Sequence, residues 1–206
     1  MTMLQPILAF VLAASVLTVT PGLDTALVLR TAAVSGARPA WFAGVGVALG
    51  CLVWGAAVSV GLGALLAASE LAYTIVRWAG AAYLLWLGIG LIARPRREVD
   101  PGGAAPGRNA WQGLRRGLLT NLLNPKVGIF YITFLPQFVP AGANVAVFSF
   151  LLAAIHCALG LAWFAALIAA TVPLARALAR PRVVRALDRL TGGIFVAFGV
   201  KLALVR

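Results

Sequence analysis

GLLTNLLNPKVGIFYITFLPQFV, residues 117–139, is apolar and long enough to cross a bilayer, yet it carries Asn121, Asn124, Pro125 and Lys126 in its middle. A charged side chain at membrane depth costs about 2.5–3.5 kcal/mol on insertion scales, so it belongs against a protein interior or a wet cavity. Pro125 removes a backbone donor and clashes with the turn before it, which predicts freed carbonyls near Asn121 at the depth of Lys126. Broken backbone beside a buried charge marks a candidate site.

Working outward, the composition fits such a segment. The chain is 62% hydrophobic and only 11% charged, with a mean hydropathy of +0.99. That profile excludes a soluble domain, whose surface must be wetted, and predicts an integral membrane protein. The formal charge of +12 gathers as arginines in short segments between apolar runs. It reads as orientation on a membrane rather than as a nucleic-acid footprint, so no nucleic-acid partner is expected. Cys51 and Cys157 stand in different apolar runs without CxxC or metal-ligand spacing and read as reduced packing residues. No cofactor or metal is implied.

Six apolar runs are legible. The first, residues 4–29, lacks the basic start of a signal peptide and is interrupted by Pro21, Gly22 and Asp24, which predicts a retained, broken helix. The second, residues 41–67, is uncharged and glycine-rich; its Gly46–Gly50 spacing predicts a packing helix or a homo-oligomer contact. The third, residues 71–93, carries Arg77 about 10 Å from its start, within reach of snorkelling or of Glu70. The fourth is the opening stretch, the fifth covers residues 145–172 and the sixth residues 190–205. Residues 174–190, where arginines alternate with apolar side chains, read as a segment lying along lipid. Lys201 is expected to snorkel. Phe130, Tyr131, Phe134 and Phe138 read as core or lipid-facing, with no further role.

Residues 94–110 form the long polar segment, rich in Pro, Gly and Arg, and read as a linker. It divides a single transmembrane domain into a first repeat of about residues 1–93 and a second of about residues 116–206, with a cytoplasmic linker of about residues 94–115. Basic residues crowd the connections after the first, third and fifth runs; the alternate connections have none. The positive-inside rule then puts the arginine-rich links in the cytoplasm and both termini outside. Three spans per half force the second half to enter from the opposite side. The predicted fold class is therefore an all-α integral membrane protein with six transmembrane helices arranged as two inverted three-helix repeats. The first and fourth helices are broken.

Paired interruptions in corresponding helices point to a transporter's binding site. Counting at helical rise, Asp24 lies about 9 Å from Arg30 and Lys126 about 15 Å from Arg116, so both reach the inner or central hydrocarbon. If the breaks meet, Asp24, Asn121, Asn124 and Lys126 converge as substrate-binding candidates around the helix-breaking Pro21, Gly22 and Pro125. Such a set suits a zwitterion. Lys126, the asparagine amides and a half-helix N-terminus can bind a carboxylate, while Asp24, the only carboxylate expected within a span, can bind an ammonium or a proton. His156, inside the fifth run, reads as a proton relay or, with greater weight, as a packing residue. The bland alternative makes the prolines simple kinks and Asp24–Lys126 a structural ion pair.

TPGLD at residues 20–24, WFAGVGVALG at residues 41–50 and above all LLNPKVGIFYITFLPQFV at residues 122–139 resemble the LysE/RhtB family of bacterial amino acid exporters. The likeness covers nearly the whole chain. Leu23 stands where the family pattern has a second proline, while Asp24 is retained. The resemblance implies a translocator of the bacterial cytoplasmic membrane exporting amino acids or close derivatives, driven by protons, with site positions Pro21, Gly22, Asp24, Asn124, Pro125 and Lys126.

Two other transport readings are weaker. A divalent metal-ion exporter needs several converging carboxylates, histidines or thiols, and only Asp24 and His156 stand in view, with the cysteines remote in sequence. A thiol-redox carrier needs reactive cysteines in the broken helices, and neither has one. An enzyme needs an acid–base or metal cluster that the pattern does not offer. The expected partners are thus a small zwitterionic solute, protons and the bilayer.

Overall fold

The computed structural model describes residues 4–68, 70–95, 108–140, 142–170 and 180–204, and these are all helix, turn or short connection. Among the described residues eight α-helices follow in order: α1 Leu4–Val19, α2 Leu23–Ser35, α3 Ala37–Ala68, α4 Glu70–Ala93, α5 Ala110–Leu122, α6 Pro125–Phe134, α7 Val145–Ala169 and α8 Pro181–Leu204. A single 3-10 turn, Leu135–Phe138, extends α6. Residues 37–61 and α7 are long and apolar enough to cross a membrane. Counting each of the bent pairs α1–α2 and α5–α6 as one span raises the number to four.

Both expected breaks are present. The axis bends by 51° between α1 and α2 and by 56° between α5 and α6. Their local causes differ from a simple proline kink. At the second break Asn124 is the N-cap of α6 and Pro125 occupies its first turn, where a missing N–H costs nothing. The carbonyls predicted to be freed near Asn121 are not all free, because the Asn121 carbonyl accepts the Asn124 N–H at 3.0 Å. A new helix start replaces the lost turn.

Several boundaries move. α5 begins at Ala110, capped by the Asn109 side chain accepting from the Gln112 N–H at 2.9 Å, so it takes in residues assigned to the linker. Most of the linker lies outside the described residues, as do the side chains of Glu70, Arg77 and Lys201. α8 begins at Pro181, so the second half of the expected lipid-surface segment belongs to the final helix. Residues 171–179 lie outside the description. Within α8, Val184 and Asp188 are fully buried. Asp24 is therefore not the only carboxylate enclosed by the helices; the arginines around Asp188 masked it in the sequence.

Small residues set the helix contacts. A Cβ on Gly46 would collide with the Leu114 carbonyl of α5, and one on Gly117 with the Ala43 carbonyl of α3, so α3 and α5 lie backbone to backbone. A Cβ on Gly50 would collide instead with the Asn121 side chain, so this glycine face packs against α5 as expected. Where α4 and α8 cross, a Cβ on Gly88 would sit 2.7 Å from the Gly192 carbonyl and one on Gly192 2.6 Å from the Gly88 carbonyl. The core between these layers is aromatic. Phe130 stacks on Phe134 at 4.7 Å between centroids, and Phe10 meets Phe138 edge-on at 5.3 Å.

Candidate functional site

The breaks meet around one cavity of about 70 Å³, well above the roughly 10–15 Å³ at which a cavity can first hold a water molecule. Thr20, Gly22, Asp24, Asn124, Lys126 and His156 line it, and the apolar part of the wall comes from Leu17, Val47, Val127, Phe130 and Phe164. Of the residues expected at the site, Asp24, Asn124 and Lys126 are thus brought together from opposite halves of the chain. Gly22 joins them at the wall, where a Cβ would sit at ordinary contact distance, 3.8 Å, from Lys126 Nζ. Pro21 precedes the Gly22 cap of α2, and Pro125 occupies the first turn of α6.

Asn121 does something different from what was expected. It is fully buried behind the cavity wall, and its Nδ2 donates to Asp24 Oδ2 at 3.0 Å and to Cys51 Sγ at 3.4 Å. It holds the Asp24 carboxylate in place. The other oxygen, Asp24 Oδ1, is buried without a hydrogen-bond partner among the described residues. An acceptor in that state carries a desolvation cost of about 1–3 kcal/mol or more until a donor arrives.

Asp24 and Lys126 each sit in the first turn of a helix, α2 and α6. Asn124 caps α6 by accepting the Lys126 N–H at 3.1 Å. The Lys126 ammonium acts electrostatically on Asp24, so the positive and negative groups of the two breaks face one another in the cavity. His156 Nδ1 shares a hydrogen bond of 3.0 Å with Tyr131 Oη, which ties α7 to α6 while the ring also borders the cavity. Packing and a cavity-facing position therefore coexist in one residue.

Sequence reasoning missed several contributors. Cys51 and Cys157 both line the cavity, and the Cys157 thiol donates to the Ala48 carbonyl at 3.3 Å. Cys51 shares a helical face with Val47 and Gly44, a signal present in the i, i+4 spacing but silent about what lies opposite. Thr20 donates to the Val16 carbonyl at 2.7 Å and its hydroxyl also bonds that of Thr191 in α8. Asp188 lies one turn before Thr191 on the same helix. A shallower cleft of about 250 Å³ between α1 and α7 shares Thr18 with the cavity and is bordered by Ser15, Leu159 and Trp163.

These features define a class: a helical membrane protein with a small, mostly apolar cavity that holds a few polar and charged groups where two broken helices meet. The particular family follows from comparison. Residues 15–206 match the LysE type translocators, and the chain belongs to that family. It is 30% identical to the homoserine/homoserine lactone efflux protein of Salmonella typhimurium over 96% of both chains. It is 33% identical to the leucine efflux protein of Enterobacter sp. (strain 638) over 70% of this chain and 69% of that one. An uncharacterized membrane protein of Bacillus subtilis, YrhP, is 28% identical over 98% of this chain and its own full length. No solved structure matches the chain.

Proposed function

We propose that this protein is a secondary transporter of the bacterial cytoplasmic membrane that exports an amino acid or a close derivative in exchange for protons. The observation that carries this reading is the meeting of Asp24 and Lys126 at one cavity, with Asp24 Oδ1 left open to a donor. A zwitterion satisfies both groups at once: its ammonium gives Asp24 Oδ1 the hydrogen bond it lacks, and its carboxylate accepts from Lys126 and the Asn124 amide. Asn121 acts as a positioning residue for Asp24. The names of the relatives, which include leucine and homoserine efflux proteins, support an amino acid as the solute. Their description as efflux proteins also supports a transporter rather than an enzyme.

The architecture in this reading is six spans in two inverted repeats forming one transmembrane domain. The α1–α2 and α5–α6 pairs are the broken first and fourth spans. Support comes from matching intervals: Pro21 and Gly88 are separated by the same number of residues as Pro125 and Gly192. Gly88 and Gly192 are the pair whose backbones touch reciprocally where α4 crosses α8. Both termini lie outside and the arginine-rich links inside, by the asymmetry of basic residues. Solute reaches the cavity along the cleft between α1 and α7. Asp24 alternates between solute ammonium and proton, and His156 is a second candidate on the proton path.

The test is uptake of a mixed amino acid panel into inside-out vesicles containing the protein, with and without an imposed pH gradient, read by mass spectrometry. Accumulation of one or a few amino acids that collapses with the gradient is expected. Accumulation that ignores the gradient would remove proton exchange, and no accumulation of any amino acid by correctly inserted protein would remove the solute class.

A further inference from the structure

We infer that Cys51 and Cys157 form a two-thiol site for a thiophilic cation of linear coordination, for which Hg²⁺ is the probe, and that such an ion ties α3 to α7 inside the cavity. The effect on transport rests on the exporter reading above; the binding itself does not.

The geometry starts from how α3 and α7 pack. A Cβ on Gly44 would lie 3.0 Å from the Phe164 ring, and one on Gly55 would collide with the Ala153 side chain, so the helices run antiparallel at close range. Cys51 lies as many residues after Gly44 as Cys157 lies before Phe164, and the same register holds from Gly55 and Ala153. The two cysteines therefore stand opposite each other between two close contacts. The two thiols interact with one another and with the Tyr131 hydroxyl. Both border the cavity, so an ion that enters meets both sulfurs.

The donor set selects the ion. Among the described residues no three His, Cys, Asp or Glu side chains form a metal-holding group, which leaves tetrahedral and octahedral ions short of ligands. A soft cation content with two thiolates needs no third. On binding, two S–H bonds break, two S–Hg bonds form and two protons leave, with no change in the oxidation state of sulfur. The product is neutral, as a low-dielectric site favours. Because Asn121 divides its amide between Cys51 and Asp24, an ion at Cys51 acts directly on the residue that holds the carboxylate.

The experiment loads purified full-length protein with one equivalent of Hg²⁺, titrates glutathione as competitor and measures retained metal by mass spectrometry. The second sulfur binds intramolecularly, so wild type is expected to need about a hundredfold more glutathione for release than C51S or C157S. C51A and C157A repeat the comparison without a hydroxyl. Equal release from wild type and all single variants would overturn the bridging site. In proteoliposomes treated with Hg²⁺ and then washed with glutathione, wild-type amino acid flux is expected to stay cut at least tenfold, while each single variant, stripped of metal by the same wash, recovers the flux it had before treatment. Tight metal retention with no flux in any untreated protein leaves the thiol site standing and removes the exporter reading. Normal flux with easily stripped metal removes the site and leaves the exporter.

Discussion

The two breaks are built from different materials. At the first, Gly22 caps α2 with an extended backbone and no side-chain hydrogen bond, and the first turn that follows carries Asp24. At the second, Asn124 caps α6 through its side chain, Pro125 follows, and the first turn carries Lys126. A helix N-terminus holds a partial positive charge, so Asp24 is favoured where it stands and Lys126 is disfavoured. The weaker cap accompanies the favourable charge and the stronger cap the unfavourable one. Thus the first break carries a charge that its own helix end favours, whereas the second needs an anion facing it, from Asp24 or from a bound carboxylate.

Replacing Asp24 by Asn breaks the comparison most severely. In D24N, vesicle uptake is expected to fall to background while membrane insertion, read by protease accessibility, is unchanged; normal flux would take Asp24 out of the mechanism. K126M removes the other member. Truncating one partner of a buried charge pair costs about 3–5 kcal/mol, so a loss of at least tenfold in flux is expected, together with lower resistance to denaturant. The double variant D24N/K126M is expected to regain much of that resistance without regaining flux, which separates folding from transport. Less depends on the cap: N124A is expected to cost about 1 kcal/mol in an unfolding titration, the typical value for an N-cap. Smallest is G22A. Its φ of −146° suits any residue and its Cβ would have ordinary contact distance to Lys126 Nζ, so a stability change below about 1 kcal/mol is expected. A large effect there would mean that the first break needs glycine for close approach.

The breaks were legible because a proline and a polar pair inside an apolar run are local signals, and Asp24, Asn124 and Lys126 lie next to them in sequence. What remained hidden was of another kind. Cys51 and Cys157, Tyr131 and His156, and Thr20 and Thr191 are pairs made by helix register, which no single run encodes. Asp188 was obscured by its arginine neighbours, since alternating Arg and apolar residues look alike on a lipid surface and on the first turns of a partly buried helix. Asn121 was assigned to the ligand because its side chain is polar. Its full burial turns that polarity inward, toward Asp24 and Cys51.

The Gly88–Gly192 crossing has a mechanical meaning. Two backbones touch there with no side chain between them, and Ile92 and Val196 crowd the same spot. The close approach does not end there: a Cβ on Gly199 would sit 3.1 Å from the Ala81 carbonyl. Two small-residue contacts about two turns apart thus lock α4 to α8 in both register and tilt.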